Sequence, residues 1–418
     1  MDSLDFTTGR WLDSPAHQAW LLGEGQRLVS FAKASRLPGG FAGLDARGAL
    51  PGAAMADTLN TTRMIHCFAM AHVQGIPGCL PLVAHGVAEL LDGPLRDTRH
   101  DGWYIDAREQ GERSKTAYLH AFVALAASSA VVAGAAGARP LLDDAIAVIE
   151  AHFWREEEGA LCESFAEDWS QAEAYRGANS NMHATEAFLA LADVTGQTRW
   201  LDRALRIAER LIQHHAAAHD FVVVEHFDAH WQPLPDYNHD NPADGFRPFG
   251  STPGHAFEWA RLLLHLEASR QRAGLQVPAW LCEAARSLFA GACRHAWNVD
   301  GAPGLVYTLD WHNRPVVRAR LHWVHAEACA TAAALLRRTG QTDYEQWYRR
   351  FWDFIAMHFI DLVHGSWHHE LDPQNRPGAS IWGGKPDLYH AYQAVLLPRL
   401  ALAPSLTTAL AQANVTKR

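Results

Sequence analysis

The stretch YLHAFVALA, residues 118–126, puts a histidine near the start of an apolar helix. The arrangement returns four times downstream. The copies are NMHATEAFLALA (181–192), GHAFEWARLLL (254–264), WVHAEACATAAAL (323–335) and LYHAYQAVL (388–396). Their histidines, His120, His183, His255, His325 and His390, are spaced by 63, 72, 70 and 65 residues. A sixth segment lies upstream, TLNTTRMIHCFAMA (58–71), with Arg63 placed 57 residues before His120.

An interval of this size holds one helical hairpin with its loops. Between the repeated segments lie further stretches of 3.6-residue periodicity: Leu141–Phe153, Trp200–His214, Ala279–His295 and Tyr344–Phe359. They carry more charge, as an outer layer would. An open array of hairpins needs polar capping repeats. Here the last unit, LYHAYQAVLLPRLAL from Leu388, is as apolar as the middle ones. The repeats are therefore expected to close on themselves. That predicts an all-α (α/α)6 barrel of six inner and six outer helices, one domain over residues 1–418.

Short strand-like patches precede the repeated helices. They are DGWYID at Asp101, GALCESF at Gly159, DFVVVEHF at Asp220, GLVYTLD at Gly304 and GSWHHEL at Gly365. They are expected to form β-hairpins on one rim, where the inner helices begin. Function is expected in the cleft that this rim surrounds.

Composition narrows the partners. The 418 residues carry a formal net charge of −10 with no Lys/Arg block. Phosphate neutralisation needs clustered cations, so no nucleic-acid partner is expected. Six scattered cysteines form no CxxC, as expected of free thiols in a reducing cytoplasm. The start, MDSLDFTTGRWLD, is polar and acidic and is not expected to be a signal peptide. The Ala-rich run from Ala121 to Ala138 reads as a packed helix rather than a membrane span. The sequence leaves a homo-oligomer open. The 16 Trp suit the C–H faces of a sugar, and the 25 His suit proton transfer near neutral pH.

Several residues share helix faces at these starts. His255 and Glu258 are three apart, as are Asp387 and His390. Asn179 and His183 are four apart, with Glu186 three further. Trp323 and Glu327 are four apart, a ring and a carboxylate on one face, while His325 lies off that face and reads as structural. Arg63 sits among small and apolar neighbours, where a buried cation serves an ion pair or an oxyanion. A bland reading has these pairs merely packing the barrel. No HExxH motif is present, so no catalytic metal is expected.

Two His and an Arg meet the needs of aldose–ketose isomerisation. Moving a proton from C2 to C1 passes through a cis-enediol whose oxygens carry developing charge. A glycoside hydrolase, the rival on this fold, would use a carboxylate pair instead. Here Glu258, Glu327 and Asp387 each travel with a His.

Two long stretches carry a family resemblance: VVEHFDAHWQPLPDYNHDNPADGFRPFGSTPGHAFEWARLLL from Val223 and GKPDLYHAYQA from Gly384. With the rest of the chain from about Arg63 to Gln393, they resemble the N-acylglucosamine 2-epimerase superfamily, in its bacterial aldose–ketose isomerase branch. The resemblance implies the barrel, no metal, no cofactor and a monosaccharide of the mannose or sulfoquinovose kind. The text around His390 favours isomerisation over 2-epimerisation. It also implies a site of Arg63, Tyr118, Asn179, His183, His255, Glu258, Trp323, Glu327 and His390. In it His255 and His390 form the acid/base pair, Arg63 lies near the enediolate and His183 binds the sugar. Which histidine takes the carbon proton stays open. No Gly-rich phosphate loop is present, so no nucleotide dependence is expected.

Overall fold

The computed structural model describes residues 9–108 and 113–415; the first eight residues of the polar start lie outside them. In chain order the helices are α1 (Pro15–Ala32), α2 (Thr58–Val73), α3 (Leu80–Asp92), α4 (Ala117–Val132), α5 (Ala138–Val148), α6 (Ala178–Thr195) and α7 (Arg199–Ala208). They continue with α8 (Pro253–Arg272), α9 (Trp280–Ala296), α10 (His322–Thr339), α11 (Thr342–Phe354), α12 (Tyr389–Leu396) and α13 (Leu406–Val415).

The even-numbered helices α2 to α12 form the inner ring. Each touches the next, and α12 returns to α2. Outside, α3 packs on α2, α5 on α4, α7 on α6, α9 on α8 and α11 on α10. The last inner helix, α12, takes α1 as its outer partner, so the two ends of the chain close the ring. This is the (α/α)6 barrel. It also explains why the last repeat has no polar cap: α1 covers it.

Composition sorts the layers. Small residues let the inner helices approach closely, and α4, the Ala-rich helix, is buried from Leu119 through Ala130. None of the described helices is long and apolar enough to cross a membrane. Outer helices α5, α7 and α11 continue as π-turns to Phe153, Ala216 and Phe359, close to the ends their periodicity predicts. The helix α13 was not foreseen. It packs against α2, α4 and α6, and Thr407 joins Ser129 hydroxyl to hydroxyl at 2.9 Å.

The strand-like patches behave differently from the expected hairpins. Two local hairpins form, Trp154–Arg155 with Ala160–Leu161 at one of these patches and Arg36–Leu37 with Gly40–Phe41 outside them. Elsewhere the strand before an inner helix pairs with the strand before the next one. Lys115–Thr116 pairs with Ser164–Phe165, Tyr175–Gly177 with His226–Asp228, and Arg320–Leu321 with Glu370–Leu371. The segments at Asp101 and Gly304 make only isolated bridges. The strands of these inter-repeat pairs are two or three residues long. They stitch neighbouring repeats and so fix where each inner helix starts.

A second device repeats. The fourth residue of four inner helices accepts a hydrogen bond from a backbone N–H about one strand earlier. Thr61 accepts from Phe41 (3.0 Å), His120 from Trp103 (3.2 Å), Asn181 from Leu161 (2.8 Å) and His325 from Leu305 (3.0 Å). His120, Asn181 and His325 also donate back to the carbonyl four residues before, at Thr116, Gly177 and Leu321. Burial holds both histidines neutral, each pushed down to about 3. His325 is structural, as its face implied, and so is His120.

Candidate active site

Counting from the start of each inner helix orders the cleft. The second residues are Leu59, Tyr118, Asn179, Gly254, Trp323 and His390. One turn deeper, the sixth are Arg63, Phe122, His183, Glu258, Glu327 and Ala394. Residues four apart share a face, so these two rows point inward together. They contribute eight residues to the wall of a cleft of about 760 Å³, to which His255 and His322 add their rings. Two loops complete the mouth, bringing Phe246 from one side and Trp382 from the other, with ring centroids 5.1 Å apart.

His255 and His390 flank Trp323. The Trp323 ring centroid lies 5.2 Å from that of His255 and 5.6 Å from that of His390. Gly254 makes room for this ring: a Cβ there would overlap it. Each histidine is held from behind by a buried carboxylate. His255 Nδ1 lies 2.9 Å from Glu225 Oε2, and His390 Nδ1 lies 2.9 Å from Glu327 Oε1. A carboxylate accepts from Nδ1–H, which leaves Nε2 of each ring with a lone pair. Burial and the Arg63 charge hold His390 well below the usual histidine range, so it is a neutral base at neutral pH.

The place of Glu327 corrects one expectation. The sequence set it beside Trp323 as a sugar ligand. It is instead buried behind the cleft wall, accepting from Arg261 Nε (2.8 Å) as well as from His390. The reason is packing between neighbours in the ring, since α8 and α10 lie close enough for Arg261 to reach it. Glu225 and Arg261 had no signal in the repeat. Glu225 lies on the strand-like stretch and finds His255 only through the fold.

Arg63 is a buried cation with an ion-pair partner, and it also borders the cleft. Its guanidinium donates to Asp387 Oδ2 (2.7 Å) and to the Tyr118 hydroxyl (3.0 Å), while lining the cleft. Burial opposes ionisation of Asp387, but Arg63 prevails and holds the carboxyl well below its usual range. Glu258 goes the other way. Burial and the neighbouring Glu327 charge push it well above the carboxylate range, so it stands as a neutral acid. Burial brings His183 down to about 4. Buried polar atoms without a protein partner gather here: Asn179 Oδ1, His183 Nδ1, Glu258 Oε2 and His322 Nε2. Buried polar atoms normally have partners, so this wall is suited to a polyhydroxyl ligand.

Two groups near the cleft have ligand atoms close enough to share an ion: His183, Glu186, Glu258 and Glu258, Glu327, His390. Their carboxylates are already engaged. Glu186 accepts from the Tyr389 hydroxyl, and Arg261 places its guanidinium among all three acids. A third group, Asp97, His100 and Glu167, already holds the Lys115 ammonium on Asp97 at 2.7 Å.

A barrel of paired helices with histidines and acids at its N-terminal mouth defines a class of carbohydrate-active proteins. Within that class, residues 39–394 match the N-acylglucosamine 2-epimerase family, and the chain belongs to it. It is 65% identical to the D-mannose isomerase of Pseudomonas cannabina pv. alisalensis, over 98% of this chain and 99% of that one. It is 52% identical to the D-mannose isomerase of Thermobifida fusca, over 96% and 98%. A crystal structure of a D-mannose isomerase superposes with a TM-score of 0.84 at 28% identity, covering 92% of this chain and 99% of that one. The cellobiose 2-epimerase of Spirochaeta thermophila shares the fold, with a TM-score of 0.79 at 22% identity over 91% and 95%.

Proposed function

We propose that the protein is an aldose–ketose isomerase that interconverts D-mannose and D-fructose through a cis-enediol. The observation that carries this is the pair of Glu-backed histidines on either side of Trp323. Both imidazoles keep a free Nε2 lone pair, as proton transfer between neighbouring carbons requires. Trp323 offers an apolar face to the sugar's C–H groups. Arg63 supplies positive charge for the enediolate oxygens, tempered by Asp387. Glu258, held as a neutral acid, and His183 are the groups to donate to and accept from the sugar while its ring opens.

In this reading His390 takes the C2 proton and returns it at C1, with His255 handling the oxygens. Tyr118 and Asn179 hold hydroxyls. Glu327 positions His390 rather than touching sugar. The names of the 65% and 52% identical relatives support mannose as the substrate. A hydrolase is disfavoured, because the Asp387 carboxylate is tied to the Arg63 guanidinium rather than free to work with Glu258. No metal enters the scheme, since Arg261 already supplies the cation among the acids. The six cysteines are free, which supports a cytoplasmic setting.

The test is direct. Purified protein incubated with D-mannose should give D-fructose, and exhaustive chelation should leave the rate nearly unchanged. Glucose as the sole product would make it a 2-epimerase. Activity lost to chelator and restored by a divalent ion would remove the metal-free scheme.

A further inference from the structure

Two histidines in the cleft take no part in that scheme. His322 opens α10, and His369 lies just before the strand Glu370–Leu371 that pairs with the strand leading into α10. Their rings stack, with centroids 3.8 Å apart at 29°. Both line the cleft and both are buried, at 4% and 5% exposure.

The backbone fixes their tautomers. A carbonyl oxygen only accepts, so a ring nitrogen facing one must carry the proton. His322 Nδ1 faces the His369 carbonyl at 3.3 Å, and His369 Nε2 faces the Asp387 carbonyl at 3.1 Å. That leaves a lone pair on His322 Nε2 and on His369 Nδ1. His322 Nε2 is buried and has no protein partner. Burial pushes His322 down to about 4 and His369 well below its usual range, the latter helped by its neighbour. Both rings are therefore neutral acceptors.

The charges nearby sharpen this. Among the described residues that line the cleft, Arg63 is the single Lys or Arg, and Asp387 already pairs with it. Lys385, close in sequence, donates to Asp361 at 2.7 Å. Arg247, on the loop that carries Phe246, donates to Glu173 at 2.7 Å. An anion brought to this wall would meet lone pairs and paired cations, and would lose its hydration without compensation.

We propose that His322 and His369 form a hydroxyl-accepting subsite, with His322 Nε2 receiving an O–H of the sugar, that admits neutral aldoses and turns away sugars bearing a sulfonate or phosphate. The inference rests on the isomerase reading and adds to it the residues that select the sugar.

Binding, measured by titration calorimetry, separates the two claims, because turnover of mannose tests the isomerase reading by itself. D-mannose, its 3-, 4- and 6-deoxy analogues and mannose 6-phosphate are titrated into the wild type and into His322→Leu, His322→Phe and His322→Gln. One hydrogen bond to a buried acceptor corresponds to about tenfold in affinity. In the wild type, one deoxy analogue should bind about tenfold more weakly than mannose, and mannose 6-phosphate should not bind. In His322→Leu or His322→Phe that difference should vanish, while His322→Gln, which keeps an acceptor, retains part of it. Two apolar variants are included so that the failure of one to fold leaves the test intact. Deoxy analogues that lose equal affinity in the wild type and the apolar variants would overturn the subsite. So would tight binding of mannose 6-phosphate.

Discussion

At the scale of single residues, the proposed chemistry rests on the His390–Glu327 pair. A carboxylate behind Nδ1 fixes the tautomer, aims Nε2 and stabilises the ring when it takes a proton. Glu327 does this from behind the wall, touching Arg261 and His390 but not lining the cleft. Glu327→Gln should therefore lower kcat by on the order of 10⁴-fold, the loss seen when the orienting acid of a catalytic triad becomes an amide, with KM little changed. Steady-state kinetics on mannose read both numbers. A raised KM with normal kcat would return Glu327 to the role of sugar ligand. The sequence put Glu327 on the right helix face, but a face is shared by residues at different depths. Only the position of Arg261 on α8 shows which depth Glu327 occupies.

Between single residues and the ring stand the helices, and here the repeated histidines part company. His120 and His325 are fourth residues and brace the backbone, while His255 and His390 are third and second and face the cleft. The repeat set the five in matching places, and only His325 was marked off by its helix face. The strand pairings set the helix starts, and the starts set which way each ring points. His120→Ala should destabilise the protein by about 2–3 kcal/mol, because it leaves the buried Trp103 N–H without an acceptor. The drop is read by urea unfolding, and kcat at low temperature should be unchanged. A variant of wild-type stability would mean that another group takes up the Trp103 N–H.

The whole molecule carries many buried neutral histidines. Burial brings His66, His183, His265 and His322 down to about 4, and His120 and His325 to about 3. An unfolded chain protonates these rings near 6.5, whereas the folded barrel resists. Below that pH the unfolded state binds more protons, so stability falls. Their contribution is complete above about pH 7 and is lost as the pH drops from 6.5 toward 4. Tm should be flat from pH 8 to 7 and fall steeply between pH 6 and 4.5. Scanning calorimetry across that range checks it, and a Tm unchanged down to pH 5 would show that these rings have already found charged partners.

The sequence by itself determined the barrel and about half of the cleft wall. A 63–72-residue period with an apolar last unit has few other solutions, because each amphipathic hairpin must bury its face against the next. Periodicity is a local property, so helix faces and the inward residues Asn179, His183, His255 and His390 were legible from spacing. The tertiary structure alone decided what lies behind them. Glu225 and Glu327 reach their histidines across 30 and 63 residues of chain, and His369 reaches His322 across 47. The hairpins expected on the rim became strands that join one repeat to the next, and α13 packed onto α2, α4 and α6. These are contacts between distant segments, and no local period encodes them. Ring closure brings such segments together, and with them the charge, tautomer and depth of each group in the cleft.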